Sequence, residues 1–212
     1  MKNNYFKKEV AILLILTVSI TAGCIDNKPS STNDNSEVAL EDICLTLDDL
    51  PSGYRILSIG RNLSTQFGFT DISEVKDVLG ITFIHEEYIN LSGVPMINIA
   101  IARYSDNIDA VIAYTNSTET IDASIKSLFN VFGMPIDTSY GDSSIGMYYN
   151  GELNENYLNS TSAWAYLHVR VNKTLFFVSL SEIQPGDFPY VEKTKSYMEI
   201  MLEKYNMETN KM

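Results

Sequence analysis

The chain has 212 residues, 45 % hydrophobic and 20 % charged, and its 15 Lys plus Arg stand against 27 Asp plus Glu for a formal net charge of −12. That is a globular composition with room for one domain and a tail. The acidic balance argues against a nucleic-acid binder, whose affinity rests on basic side chains. Two Cys and two His argue against a disulfide-rich scaffold, a four-cysteine zinc site and a His-based metal site.

Residues 1–23 read as an export leader. Lys2, Lys7 and Lys8 precede Val10–Ala22, an almost unbroken apolar run. A basic flank, a short apolar core and small residues make a secretory signal. The run is shorter than the ~20 residues that span a hydrocarbon core. It ends in Thr21-Ala22-Gly23-Cys24. This segment resembles the lipobox of bacterial and archaeal lipoproteins, with Thr21 where Leu is common. The resemblance implies that the Cys24 thiol receives a diacylglyceryl group and that the chain is cut just before it. The alternatives are an ordinary signal peptide cut elsewhere and an uncleaved anchor helix. Without the leader the net charge becomes −14. An anionic lipid surface repels such a body, so acyl chains rather than a basic patch must hold it. The expected location is the outer face of the cytoplasmic membrane or the cell envelope, with membrane lipid as a partner through acylated Cys24.

Residues 24–38 form the anchored Cys and a polar, Pro-broken tether, with a root-mean-square reach of about 20 Å. Residues 39–205 form one domain, and 206–212 a tail. In Ala39–Leu47, apolar residues at 40, 43, 44 and 47 follow helical spacing. Cys44 is then a small buried hydrophobe on a helix face, or else a reactive or intermolecularly paired thiol. Leu50-Pro51-Ser52-Gly53-Tyr54 turns the chain. Arg55–Leu63 looks extended, and Ser73–Leu79 a short helix closed by Gly80. Two strands follow, Ile81–Ile89 and Met96–Tyr104, joined by the Gly93-Val94-Pro95 turn. In the second, Ile97, Ile99 and Ile101 share one face and Asn98, Ala100 and Ala102 the other.

Residues 106–132 carry two helical stripes. Ile108, Val111, Ile112 and Thr115 form one, and Ile121, Ile125, Leu128, Phe129 and Phe132 the other. The two are about 180° out of phase, which predicts a break at 116–120 with Thr118 or Thr120 as a second N-cap. Short extended pieces follow around Ile136 and over Ile145–Tyr149. The strongest hairpin signal is Ala163–Val171, turning at Asn172-Lys173 and returning over Thr174–Ser181. Val171 facing Thr174 sets Val169, Leu167 and Ala165 against Phe176, Val178 and Leu180. A final helix of about 18 residues is expected after an Asp187 cap.

These elements predict an α+β fold, an antiparallel sheet with helices packed mainly on one face in a two- or three-layer sandwich. Asp49-Leu50-Pro51-Ser52-Gly53-Tyr54, Tyr140-Gly141-Asp142-Ser143-Ser144 and the late hairpin are similar to segments of PsbP/Mog1-like domains. That resemblance implies a fold and brings no catalytic motif.

The search for chemistry finds no phosphate-binding Gly-rich loop, no His-Glu-x-x-His and no EF-hand loop, and it implies no cofactor or resident metal. Gly141-Asp142-Ser143 resembles the serine block of GDSL-type lipases, but it is mid-chain and no Asp-x-x-His accompanies it, so Ser143 reads as a polar turn residue. His85 and Glu87 share one side of a predicted strand and offer two of the three or four ligands zinc takes; the plain alternative is a solvated polar patch. Trp164, Tyr166, His168 and Arg170, with Phe177, form an amphipathic row that would receive a sugar, peptide or aromatic ligand if open, or form a second core if a helix covers it. Five glycosylation sequons, at Asn62, Asn90, Asn116, Asn159 and Asn172, fall in predicted turns or element ends. Three functions follow: a non-enzymatic surface lipoprotein binding a protein or small ligand, an extracytoplasmic hydrolase whose site no motif reveals, and an accessory subunit of an envelope complex.

Overall fold

The computed structural model describes residues 37–61, 75–87, 93–128, 133–153, 161–183 and 185–211. The leader, Cys24 and the sequons Asn62, Asn90 and Asn159 lie outside them. Among the described residues, seven strands form one antiparallel sheet: β1 (Tyr54–Gly60), β2 (Val75–His85), β3 (Met96–Tyr104), β4 (Met134–Pro135), β5 (Ser143–Glu152), β6 (Thr161–Val171) and β7 (Thr174–Ile183). Their spatial order is β1-β2-β3-β7-β6-β5-β4. Two meanders, β1–β3 and β4–β7, therefore meet along β3 and β7. Helix α1 (Asn107–Lys126) joins them, and helix α2 (Tyr190–Thr209) ends the domain.

The hairpin register is the predicted one. Val171 pairs with Thr174, Val169 with Phe176, Leu167 with Val178 and Ala165 with Leu180. These inward residues join Ile97, Ile99 and Ile101 of β3 in the first core, which α2 covers through Tyr197, Met198 and Met201. The alternate positions Ala100, Ala102, Tyr166, Leu175 and Phe177 build a second core with Ala110, Ala113, Ile121 and Ile125 of α1. Because side chains alternate across a strand, the two helices lie on opposite faces. The sandwich has three layers, and the expectation of helices mainly on one face does not hold.

Four local expectations also fail. Residues 75–79 are the start of β2 rather than a helix. Gly80, read as a helix stop, sits inside the ladder opposite Gly60 and Ala100. Apolar positions 75, 78 and 79 fit either period, and pairing with β3 decides for the strand.

Helix α1 runs unbroken through 116–120. Its buried positions are Ala110, Ala113, Ser117, Ile121 and Ile125, a regular stripe whose first members are small. The bulkier Ile108, Val111 and Ile112 face solvent. The phase difference between the stripes is real, but it reflects which face is outside.

The 39–47 segment forms 3-10 turns at Leu40–Ile43 and Leu47–Asp49. Ile43, Cys44 and Leu45 are buried in succession, which a helix face does not allow. Asp187 lies ahead of α2 and does not cap it; Pro189 occupies that position.

Residues 37 and 38 are also tied to the sheet. Glu37 pairs with Lys76, Arg103 and Lys173, and Arg103 Nη2 donates to the Val38 carbonyl at 2.6 Å. Burial would raise the Glu37 carboxyl, but hydrogen bonds from Lys173 and Lys76 outweigh it and hold its pKa below the ordinary value.

Candidate functional site

The row predicted on β6 lies on the face beneath α1, and its members have separate fates. His168 is completely buried. Its Nδ1 lies 3.1 Å from the Thr118 hydroxyl, and its ring lies 4.7 Å from that of Tyr114. Burial pushes its pKa down to about 3, because a low-dielectric setting disfavours the imidazolium. Arg170 turns to the end of the hairpin. Its Nη1 donates to Asp142 Oδ2 at 3.0 Å and to the Asn172 carbonyl at 3.1 Å. Phe177 is a core ring beside Tyr166. These three hold the fold together.

Trp164 and Tyr166 differ. Tyr166 is wholly buried and Trp164 half-buried, yet Trp164 Nε1 and the Tyr166 hydroxyl reach no hydrogen-bond partner among the described residues. Buried polar atoms almost always have one. The strand registers place hydrophilic neighbours beside them. Thr82 faces Asn98, Asn98 faces Ser179, and Ser179 faces Tyr166. In the adjacent row Ser181 faces Trp164, which faces Tyr149. Thr82, Asn98, Ser179 and Ser181 are all buried, and Thr82 Oγ1 donates to Asn98 Oδ1 at 3.0 Å.

This face therefore has an apolar part under α1 and a polar part built of hydroxyls, one carboxamide, an indole N–H and a phenol. The adjoining carboxylate, Asp122, accepts the Tyr149 hydroxyl at 2.9 Å. Burial raises the Tyr166 pKa, with Asp122, Tyr149 and Tyr114 adding to it, so the phenol stays neutral and able to donate. The arrangement suits hydrogen bonding to an uncharged molecule flanked by aromatic rings. Sequence reading singled out Trp164 and Tyr166 but missed Thr82, Asn98, Ser179 and Ser181. Their signal was polar side chains at positions that the hairpin register and strand alternation turn toward a helix-covered face.

His85 ends β2, and its ring meets Tyr54 edge-on at 5.3 Å. Its Nδ1 accepts the Glu87 backbone N–H at 3.1 Å. Glu87 lies in the turn beyond the strand, so the two do not share a strand face as expected. Among the described residues, no three His, Cys, Asp or Glu gather to hold a metal ion.

Ser143 opens β5 opposite Arg170. Before it, Asp142 Oδ2 accepts the Asn172 N–H at 2.6 Å, so this turn clamps the hairpin. Gly141 has φ +56°, and a Cβ there would run into the Arg170 carbonyl oxygen. Asn172, also at positive φ, is exposed in its turn. Asn116 is exposed in the middle of α1 rather than at an element end. Cys44 is 2 % exposed, and burial raises its thiol to about 12.

A buried carboxylate that sequence reading passed over sits across the sheet. Glu182 accepts the Gly93 N–H at 2.5 Å and the Tyr190 hydroxyl, tying the β2–β3 connection to the start of α2.

No family model matches the chain, and no curated protein matches it. No helix among the described residues is long and apolar enough to cross a membrane. Among solved structures the chain is similar to the extracellular domain of PknH from Mycobacterium tuberculosis, with a TM-score of 0.51 and 10 % sequence identity over 82 % of this chain and 98 % of that one. At that identity the likeness is one of fold.

Proposed function

We propose that this chain is a lipid-anchored extracytoplasmic domain with a binding role, and that the polar part of the α1-side sheet face receives its ligand. The observation that carries the binding role is the pair of buried atoms without a partner among the described residues, Trp164 Nε1 and the Tyr166 hydroxyl, beside four polar residues. Leaving such groups unpaired costs about 1–3 kcal/mol each, and sites that depart from local packing rules are where function is expected. Their chemistry favours a small uncharged molecule rich in hydroxyl or amide groups.

Export and anchoring are supported by the leader and the Thr21-Ala22-Gly23-Cys24 segment. The fold shared with an extracellular domain supports the same side of the membrane. The PsbP/Mog1-like reading belongs to this proposal as a likeness of element order. The hydrolase alternative has less support: His168 is engaged with Thr118, His85 with the Glu87 backbone, and Ser143 faces Arg170.

Trp164 is the single tryptophan of the chain, so its emission reports the site directly. Titration with N-acetylglucosamine, cellobiose and an acetylated dipeptide amide should give a saturable emission change with at least one probe. Tyr166→Phe should weaken that binding about tenfold, the worth of one good hydrogen bond. No saturable change with any of the three contradicts the site.

A further inference from the structure

The outer face of α1 is unusual for so acidic a chain. Ile108 is 70 % exposed, Val111 44 % and Ile112 50 %. They follow one another at i, i+3 and i+4, and so make a single ridge. The adjoining exposed positions are Asn107, Thr115 and Asn116. From Asn107 to Thr118 the only charged side chain is Asp109, in a chain with a net charge of −12. Soluble surfaces scatter single apolar residues, but a ridge of three neighbouring apolar side chains points to a partner.

The position of the ridge says which partner. Glu37, the first described residue, is clamped by Lys76, Arg103 and Lys173. The same end of the sheet starts α1: Tyr104 N donates to the Lys173 carbonyl at 2.9 Å, and Ile108 follows four residues later. The first described residues thus lie at the end of the sheet where the ridge begins, with Val38 packed on the α2 side. Twelve residues separate Cys24 from Glu37. They span at most about 40 Å. A surface held so close is met at high effective concentration, so a small apolar contact is enough.

We propose that the Ile108–Val111–Ile112 ridge rests on the phospholipid surface to which Cys24 moors the chain. This rests on the lipid-anchor reading and adds to it an orientation, with the α1 face toward the bilayer and α2 away from it. No charged side chain lies on the ridge itself, though Asp106 and Asp109 flank its start, so repulsion there is weaker than over the rest of the body, and the β-branched side chains enter the interface as the apolar face of an amphipathic helix does.

The full chain, purified from membranes and reconstituted in phosphatidylcholine vesicles, carries the test. A nitrobenzoxadiazole label is placed on Ile112→Cys or, on the opposite face, on Glu192→Cys; buried Cys44 stays unlabelled. Lipids brominated near the headgroup should quench the label at 112 at least twofold more than at 192. Adding Ile108→Asn should abolish the difference. Equal quenching at the two sites in protein whose Cys24 is acylated by mass overturns the ridge and leaves the anchor standing. An unmodified Cys24 overturns the anchor, and the same quenching ratio then upholds or overturns the ridge. A blue-shifted label at 112 without lipid quenching means that protein covers the ridge, and overturns the proposal. So does a glycan found on Asn116, which would hold that face off the lipid.

Discussion

Thr118 Oγ1 and His168 Nδ1 lie 3.1 Å apart, linking the middle of α1 to the middle of β6. Burial of His168 makes stability depend on pH with a definite sign. The unfolded chain binds a proton at His168 near its ordinary pKa of 6.5, whereas burial delays protonation of the folded chain to about 3. Between those values the unfolded state holds the extra proton, so stability falls as pH falls, by up to ~1.4 kcal/mol per unit. Urea midpoints should drop from pH 7 to pH 5, and His168→Gln should flatten that slope. Glu37 acts in a lower window. Its pKa is depressed from 4.5, so its contribution is present above that value and is lost as pH falls below it. A slope over pH 5–7 that survives His168→Gln contradicts the assignment.

Asp142 holds the hairpin turn through the Asn172 N–H and the Arg170 guanidinium. Asp142→Ala should cost about 1–2 kcal/mol. Gly141→Ala should cost more, because its φ is +56° and the added carbon meets the Arg170 carbonyl. Chemical denaturation of both variants orders them; the reverse order would show that the turn tolerates a side chain and that Asp142 is the more important member.

Tyr166→Phe should raise stability by up to about 1 kcal/mol, because it removes a buried hydroxyl that has no partner among the described residues. The same change should weaken binding at the site. A variant that loses stability like an ordinary hydrogen-bonded tyrosine would show that the hydroxyl already has a partner.

The sequence made the hairpin legible because one period-2 pattern and one short turn determine it, and its register follows residue for residue from Val171 and Thr174. It made β3 legible for the same reason. It misplaced the start of β2, where Val75, Val78 and Leu79 fit two periods and only pairing with β3 decides. It points to a break in α1 because large apolar residues suggest the buried face, whereas Ala110 and Ala113 make that face and Ile108 and Ile112 lie outside. The same bias hid the site. Trp164 and Tyr166 stand out as aromatic rings, but Ser179, Ser181 and Asn98 gain meaning only once five strands align them.

Cys44 should resist iodoacetamide at pH 8 in the folded protein and react fully in denaturant. It is 2 % exposed, and its thiol is raised to about 12 by burial, so little thiolate exists and little of it is reachable. Rapid alkylation of the native state would mean that the Leu40–Asp49 segment opens.

The intact mass of the mature chain recovered from membranes tests the central claim most directly. Removal of residues 1–23 with a diacylglyceryl group on Cys24 is the expected result, and Cys24→Ser should accumulate as the uncleaved precursor. A chain found in the cytosol with Met1 in place and Cys24 unmodified would contradict it.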